Sequence, residues 1–383
     1  MELRRVRLPL VEPWRWEGGV LTDREVVLVR AQGPDSEGWG ECTAFPAPTY
    51  SPEWTDGAWD VLRHHLVPLV LGAGLSGVAV GPRLSAVKGN QMAKAAVELA
   101  VLDAELQAAG VSLARRLGGT RDRVTAGVVV GLTGSLPALV DGVAARVDQG
   151  YRRVKLKIHP GWDVEPVLAV RARFAELQLM VDANGSYQRS DAAHLRRLDA
   201  AGLLCLEQPL EPDDLVGHAA LAAELSTPVC LDESVTSLAT ATTAIALGAC
   251  RVVNIKAGRV GGYLEAVRIH DLCRAHGLAV WCGGMLETGI GRSANLALAS
   301  LPGFSYPGDL SASDRFFVED ICEPVVLDAD GTIAVPDAPG IGAVLRPGVV
   351  DAATVDRLWF SRTPTRGRGR AGAGSAAGSA ASS

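Results

Sequence analysis

The chain has 383 residues, 48% hydrophobic and 21% charged, enough for a sizeable core and for more than one domain. A net charge of −6 offers no attraction to nucleic acid or an anionic membrane, no run of 18 apolar residues offers a membrane span, and MELRRVRLPL has no apolar h-region of a signal peptide. Seven scattered cysteines without C-x-x-C spacing argue against a disulfide framework or zinc site and for a reducing, cytoplasmic setting.

Residues 3–11, 24–32 and 37–43 read as three short strands, the last two joined by a Gly/Pro/Asp-rich turn. From 58 to about 118 the pattern turns helical, most clearly in QMAKAAVELAVLDAELQAAG, where good helix formers carry apolar residues at three-to-four spacing. Strands followed by helices predict an α+β domain over residues 1–123. Beyond it short apolar runs alternate with helix-length stretches: VTAGVVVGL, RRVKLKI, LQLMVDA, LCLEQP, PVCLDES, RVVNIKAG, LAVWCGG and, as the eighth, SYPGDLS. Parallel pairing with crossovers follows, and the count favours a closed (β/α) barrel over residues 124–321 rather than an open doubly wound sheet. No G-x-G-x-x-G follows an early strand, which counts against a dinucleotide site. The Gly/Ala/Ser-rich stretch 363–383 reads as a disordered tail, its RGRGR as solvated rather than RNA-binding.

Five charged residues fall at the C-terminal ends of consecutive predicted strands: Lys157, Asp182, Glu207, Asp232 and Lys256, at intervals of 25, 25, 25 and 24 residues. One βα unit has about that length, so the five share one rim, the face where such barrels keep their catalytic groups. Side chains two apart on a strand share a face, so V-K-L-K-I turns both Lys155 and Lys157 inward. Met180, Cys205, Cys230 and Asn254 share the layer of Lys155, beneath the rim. Any one of these residues alone reads as a turn, a helix cap or a snorkelling lysine. As a set they read as functional, because charges inside an apolar barrel carry a large desolvation cost unless paired.

The residue types point to a reaction class. Three carboxylates on adjacent strands make an all-oxygen site for a hard divalent ion, magnesium by default and manganese as the alternative, and the absence of Cys or His at those positions argues against zinc. Lys157 precedes the triad by one strand and Lys256 follows it by one. An ion between two amines suits removal of a proton next to a carboxylate. The base must be an uncharged amine, and Lys155 beneath Lys157 is expected to favour that form by repulsion. Arg259 reads equally as a similar neighbour of Lys256 or as an ordinary loop cation.

With these residues in place the chain resembles the enolase superfamily, in the branch of o-succinylbenzoate synthases and N-acylamino acid (N-succinylamino acid) racemases. The resembling stretches are GWGECTAFPAPTYSPEW, MAKAAVELAVLDAEL, GYRRVKLKIHPGWDVEPV, VDANGSY, LEQPL, LDESV, NIKAGRVGG, GGMLETGIGRSANLALASLPGF and GDLSASDRFFVED, within residues 1–360. The resemblance implies a capping domain of residues 1–123, completed by about 322–360, on a modified (β/α)7β TIM-type barrel. It implies Asp182, Glu207 and Asp232 as magnesium ligands, Lys157 as acid/base, Lys256 as the lysine on the opposite face and Lys155 as accessory. Asn184 matches a substrate contact, and Gly284 and Met285 a loop whose backbone approaches the substrate, as free N–H groups of a GG opening a helix would. Val129 stands where many relatives carry Ser, and VEPWRWEGGVLTDRE replaces a mobile loop, so Trp14 and Trp16 become candidate aromatic walls.

The implied function is o-succinylbenzoate synthesis: dehydration of a cyclohexadiene carboxylate in menaquinone biosynthesis, with N-succinylamino acid racemisation as the alternative from the same residues. The implied partners are a small carboxylate substrate and other copies of the chain in a homo-oligomer. A non-catalytic metal-binding barrel would explain the carboxylates but not the lysine pair. A Schiff-base lyase would need a reactive lysine without the carboxylates.

Overall fold

The computed structural model describes residues 1–16, 19–33 and 36–361. The expected tail, 363–383, lies outside the described residues.

Three antiparallel strands open the chain, β1 (Glu2–Trp16), β2 (Gly19–Gln32) and β3 (Glu37–Cys42). β1 alternates as a half-buried strand should, with Val6, Leu8 and Leu10 inside and Arg7 and Pro9 outside. The nineteen-residue helix α1 (Gln91–Ala109) lies on this sheet, and the fit rests on small residues from both partners. Ala96, Ala100 and Ala104 recur every four residues along one helix stripe and face Gly38 and Gly40 of β3; a Cβ on Gly40 would stand 2.0 Å from the Ala96 carbonyl oxygen. Glu53 caps the start of α1 by accepting the Met92 N–H at 2.9 Å.

The barrel begins after a short strand β4 (Arg123–Thr125). Seven parallel strands follow in one sheet, ordered as in the sequence: β5 (Gly127–Val130), β6 (Arg153–Lys157), β7 (Gln178–Asp182), β8 (Leu206–Glu207), β9 (Val229–Leu231), β10 (Val252–Ile255) and β11 (Ala279–Cys282). Between them run α2 (Leu136–Asp148), α3 (Val164–Arg173), short helical turns over 189–201, α4 (Leu215–Glu224), α5 (Leu238–Leu247) and α6 (Tyr263–Ala275), with α7 (Gly289–Ala299) after β11. Side chains at the helix starts accept backbone N–H groups, Ser135 for α2, Asp163 for α3, Asp214 for α4 and Ser237 for α5, pinning the loops of the rim.

The eighth strand expected at SYPGDLS is not regular. Residues 304–309 form isolated parallel bridges, Val280 with Phe304 and Ala126 with Gly308. They hydrogen-bond both ways all the same: the Asp309 N–H reaches Cys282 O at 2.9 Å, and the Gly127 N–H reaches Gly308 O at 2.8 Å. Pro307, between the two bridges, has no N–H to give and interrupts the ladder, while the segment still closes the cylinder. The last strands among the described residues are β12 (Thr332–Ala334), paired with β4, and β13 (Thr354–Trp359), which adds an antiparallel edge beside β1. Among the described residues no helix is long and apolar enough to cross a membrane.

The N-terminal layer sits over the C-terminal mouth of the barrel. Fully buried Arg24 of β2 donates to Thr43 O and Ala44 O on its own side and to Met285 O and Leu286 O of the loop after β11. Glu41 of β3 accepts from Thr288 N, Thr288 Oγ1 and Gly291 N at the start of α7, and Glu98 of α1 accepts from Leu264 N at the start of α6.

Candidate active site

Strand register builds the site. Lys157 pairs with Asp182 across β6 and β7, and Asp182 with Glu207 across β7 and β8, so three of the rim residues stand side by side. Asp232 follows β9 directly and Lys256 follows β10. All five expected residues therefore converge, and Asp182, Glu207, Asp232 and Lys256 are buried while Lys157 keeps a small exposed fraction. Val154 and Leu156 pack outward in the hydrophobic core.

Each carboxylate of the triad is held by a cation. Lys157 Nζ lies 2.7 Å from Asp182 Oδ2 and 2.5 Å from Asn184 Oδ1. Lys155 Nζ lies 2.7 Å from Glu207, 3.0 Å from Asp182 and 2.9 Å from Asp309. Lys256 Nζ is 2.7 Å from Asp232 and 3.0 Å from the Tyr50 hydroxyl, with its ammonium 4.6 Å from the Tyr50 ring centre. Asn254, a layer below, donates to Glu207 at 2.7 Å. Cys205, Cys230 and Met180 pack with Trp281 in a separate buried cluster beneath.

Two expectations about the cations change here. The carboxylate of Asp182 lies in contact with both Lys155 and Lys157, so attraction to it offsets the repulsion expected between the amines. Burial opposes charge on Lys155, but Asp182, Asp309 and Glu207 outweigh it and hold that lysine well above its ordinary value. Arg259 is no loop cation: it is buried in a short helix, Ala257–Val260, where it pairs with Asp232 and donates to Val235 O at 2.8 Å. Lys256 is also raised, since Tyr50, Glu207 and Glu233 together overcome the cost of burial. For Asp182, burial acts upward but the nearby lysines win and depress it.

A cleft opens over these groups, lined among others by Trp14, Phe45, Tyr50, Val129, Asn184, Gly284, Met285 and Phe316. Val129 and Trp14 line the pocket; the side chain of Trp16 lies outside the described residues. The GG of the β11 loop does not open a helix. Helix α7 starts five residues later, Gly283 N–H is bonded to Ile255 O, and Met285 N–H is bonded to Glu287 at 2.8 Å, which leaves Gly284 as the amide of the three at the wall. A Cβ at Gly284 would stand 2.6 Å from Asp309 O, so only glycine fits there.

Sequence reasoning missed Tyr50, Asp309, Glu233 and Arg292. Asp309 carried a signal, being the charged residue that ends the eighth barrel segment; Lys155 and Arg153 outweigh the upward pull of burial and hold it down at about 2. Tyr50 comes from a capping-layer loop and carried none.

The carboxylates fit a divalent ion by chemistry and position. They are three hard oxygen donors on consecutive strands, with a further buried oxygen, Glu233 Oε2, left without a hydrogen-bond partner beside them. They do not form a ready cage: among the described residues no three His, Cys, Asp or Glu side chains stand close enough to hold an ion. The reason lies in the contacts above, since each carboxylate leans onto an ammonium or guanidinium group that an ion would have to displace.

Comparison with known proteins agrees in both layers. Residues 2–118 match the family described as mandelate racemase / muconate lactonizing enzyme, N-terminal domain, and residues 138–349 match the enolase C-terminal domain-like family. An N-succinylamino acid racemase of Amycolatopsis sp is 55% identical over 362 residues, covering 94% of this chain and 98% of that protein. An o-succinylbenzoate synthase of Geobacillus kaustophilus is 45% identical, covering 95% and 97%. A solved enolase superfamily member from Listeria innocua superposes with a TM-score of 0.90 at 40% identity, covering 93% and 97%.

Proposed function

The chain belongs to the enolase superfamily, and from that premise we propose that it is an o-succinylbenzoate synthase of menaquinone biosynthesis, dehydrating 2-succinyl-6-hydroxy-2,4-cyclohexadiene-1-carboxylate. The observation that carries the reading is one pocket lined by Lys157 and Lys256, from strands four apart, with the buried carboxylates between them. In this reading Asp182, Glu207 and Asp232 would hold a divalent ion, magnesium, which would supply the positive field that makes a proton next to a carboxylate acidic.

Lys157, as a free amine, takes that α-proton; the C–H pair moves into the carboxylate to give an enediolate. The same nitrogen then returns the proton to the departing hydroxyl, and water leaves. Lys256, as an ammonium, faces the enediolate from across the pocket and lowers its energy. Asn184, Gly284, Met285 and Val129 form substrate contacts, Arg259 steadies Asp232 beside Lys256, and residues 1–123 with about 322–360 act as the lid. The working form is a cytoplasmic homo-oligomer.

N-succinylamino acid racemisation is a second reading, favoured by Lys256 standing on the pocket with a nitrogen able to carry a proton to the opposite face. Both are tested by measuring dehydration, and solvent-deuterium exchange at the α-carbon of N-succinylamino acids, with magnesium. Lys157→Ala should abolish both while magnesium binding persists; retained turnover would overturn the choice of base. A non-catalytic metal-binding barrel would show neither reaction in the unaltered protein.

A further inference from the structure

Glu233 directly follows Asp232 and lacks the partner its neighbours have. Among the described residues no Lys, Arg or His lies within ion-pair distance of it, and its Oε2 is closed off from solvent without a hydrogen-bond partner. Its one hydrogen bond among the described residues is to Asn184: Nδ2 donates to Glu233 Oε1 at 2.9 Å. On its other side, Asn184 Oδ1 accepts from Lys157 Nζ at 2.5 Å. Asn184 is itself held in place, with a left-handed backbone at φ 42 and its N–H on Asp182 Oδ1 at 3.1 Å. A chain of hydrogen bonds therefore links the ends of β9, β7 and β6.

The direction of that chain has a chemical consequence. An amide can turn either its oxygen or its nitrogen toward a neighbour, whereas a carboxylate only accepts. Glu233 thus draws the Asn184 NH2 to itself and leaves the carbonyl for Lys157. With the amide reversed, two N–H donors would face the lysine nitrogen, repelling its ammonium form or occupying the lone pair of its amine form. Lys256 is held separately, by Asp232 and Tyr50.

We propose that Glu233 is a positioning residue that sets the Asn184 amide and, through it, the direction of the Lys157 nitrogen. The proposal rests on the reading of Lys157 and Lys256 as proton carriers on opposite faces of the substrate. Its signature is asymmetry, because loss of Glu233 impairs one face and spares the other.

The test is α-proton exchange in D2O with magnesium, followed by NMR for each enantiomer of an N-succinylamino acid separately. Glu233→Ala should slow exchange of the enantiomer served by Lys157 about tenfold or more and leave the other within about twofold. Glu233→Gln, whose amide can present either its oxygen or its nitrogen to Asn184, should fall between the Ala variant and the unaltered protein. Equal slowing of both enantiomers, no slowing, or a Gln variant as fast as the unaltered protein would each overturn the proposal. Unaltered protein that exchanges neither enantiomer would overturn the reading of the two lysines as proton carriers on opposite faces, and the proposal with it, before any variant is made.

Discussion

Replacing Glu98 by Gln should make this protein more resistant to unfolding, and increasingly so as the pH rises. Glu98 is 3% exposed in the middle of α1, where its carboxyl accepts the Leu264 N–H at the start of α6. Burial lifts its pKa from the ordinary 4.5 to about 7, against the downward pull of the N–H groups of Leu264 and Tyr263. The folded protein therefore keeps a proton that the unfolded chain releases. Stability from this group is complete below pH 4.5, declines above it and is lost as the pH passes 7. At about 1.4 kcal/mol per pH unit, the interval amounts to about 3 kcal/mol. A Gln carbonyl still accepts the Leu264 N–H but never ionises, so E98Q should match the parent near pH 4.5 and exceed it by about 2–3 kcal/mol at pH 8. Urea denaturation of both proteins at pH 5, 6, 7 and 8 measures the difference. A gap that stays constant over this range, or an advantage for Glu98 that grows with pH, would refute the reasoning. It would mean that the N-terminus of α6 holds the carboxylate ionised throughout.

Two further outcomes follow from packing and charge. Gly40→Ala should destabilise the fold by about 2–3 kcal/mol in chemical denaturation, since its methyl would enter the Ala96 carbonyl and α1 would have to lift from β3; an unchanged midpoint would show that the helix yields freely. Lys155→Met leaves Glu207, Asp182 and Asp309 buried without their common ammonium, so it should cost about 3–5 kcal/mol without metal. Magnesium should then raise the melting temperature of K155M by more than that of the parent, and equal shifts would count against Asp182 and Glu207 as ligands.

The regular recurrence of charge, near 25 residues, places Lys157, Asp182, Glu207, Asp232 and Lys256 on one rim, and strand parity turns Lys155 inward. These features are local: a βα unit has a set length and side chains alternate along a strand whatever lies around them. The irregular eighth segment was harder to read, because its bonding depends on edges supplied by β5 and β11 from either end of the barrel. Tyr50 and Glu98 were invisible for the same reason. Each acts only where the capping layer meets the barrel, 206 residues away for Tyr50 and Lys256 and 166 for Glu98 and Leu264.

The sequence by itself determined the architecture, the rim and the kind of chemistry, since periodicity and residue type suffice for these. Only the tertiary structure decided which ammonium rests on which carboxylate, that Arg259 is buried on Asp232, and that Asn184 stands between Glu233 and Lys157. Such pairings depend on distances of a few ångströms between residues far apart in the chain, and no local pattern encodes them.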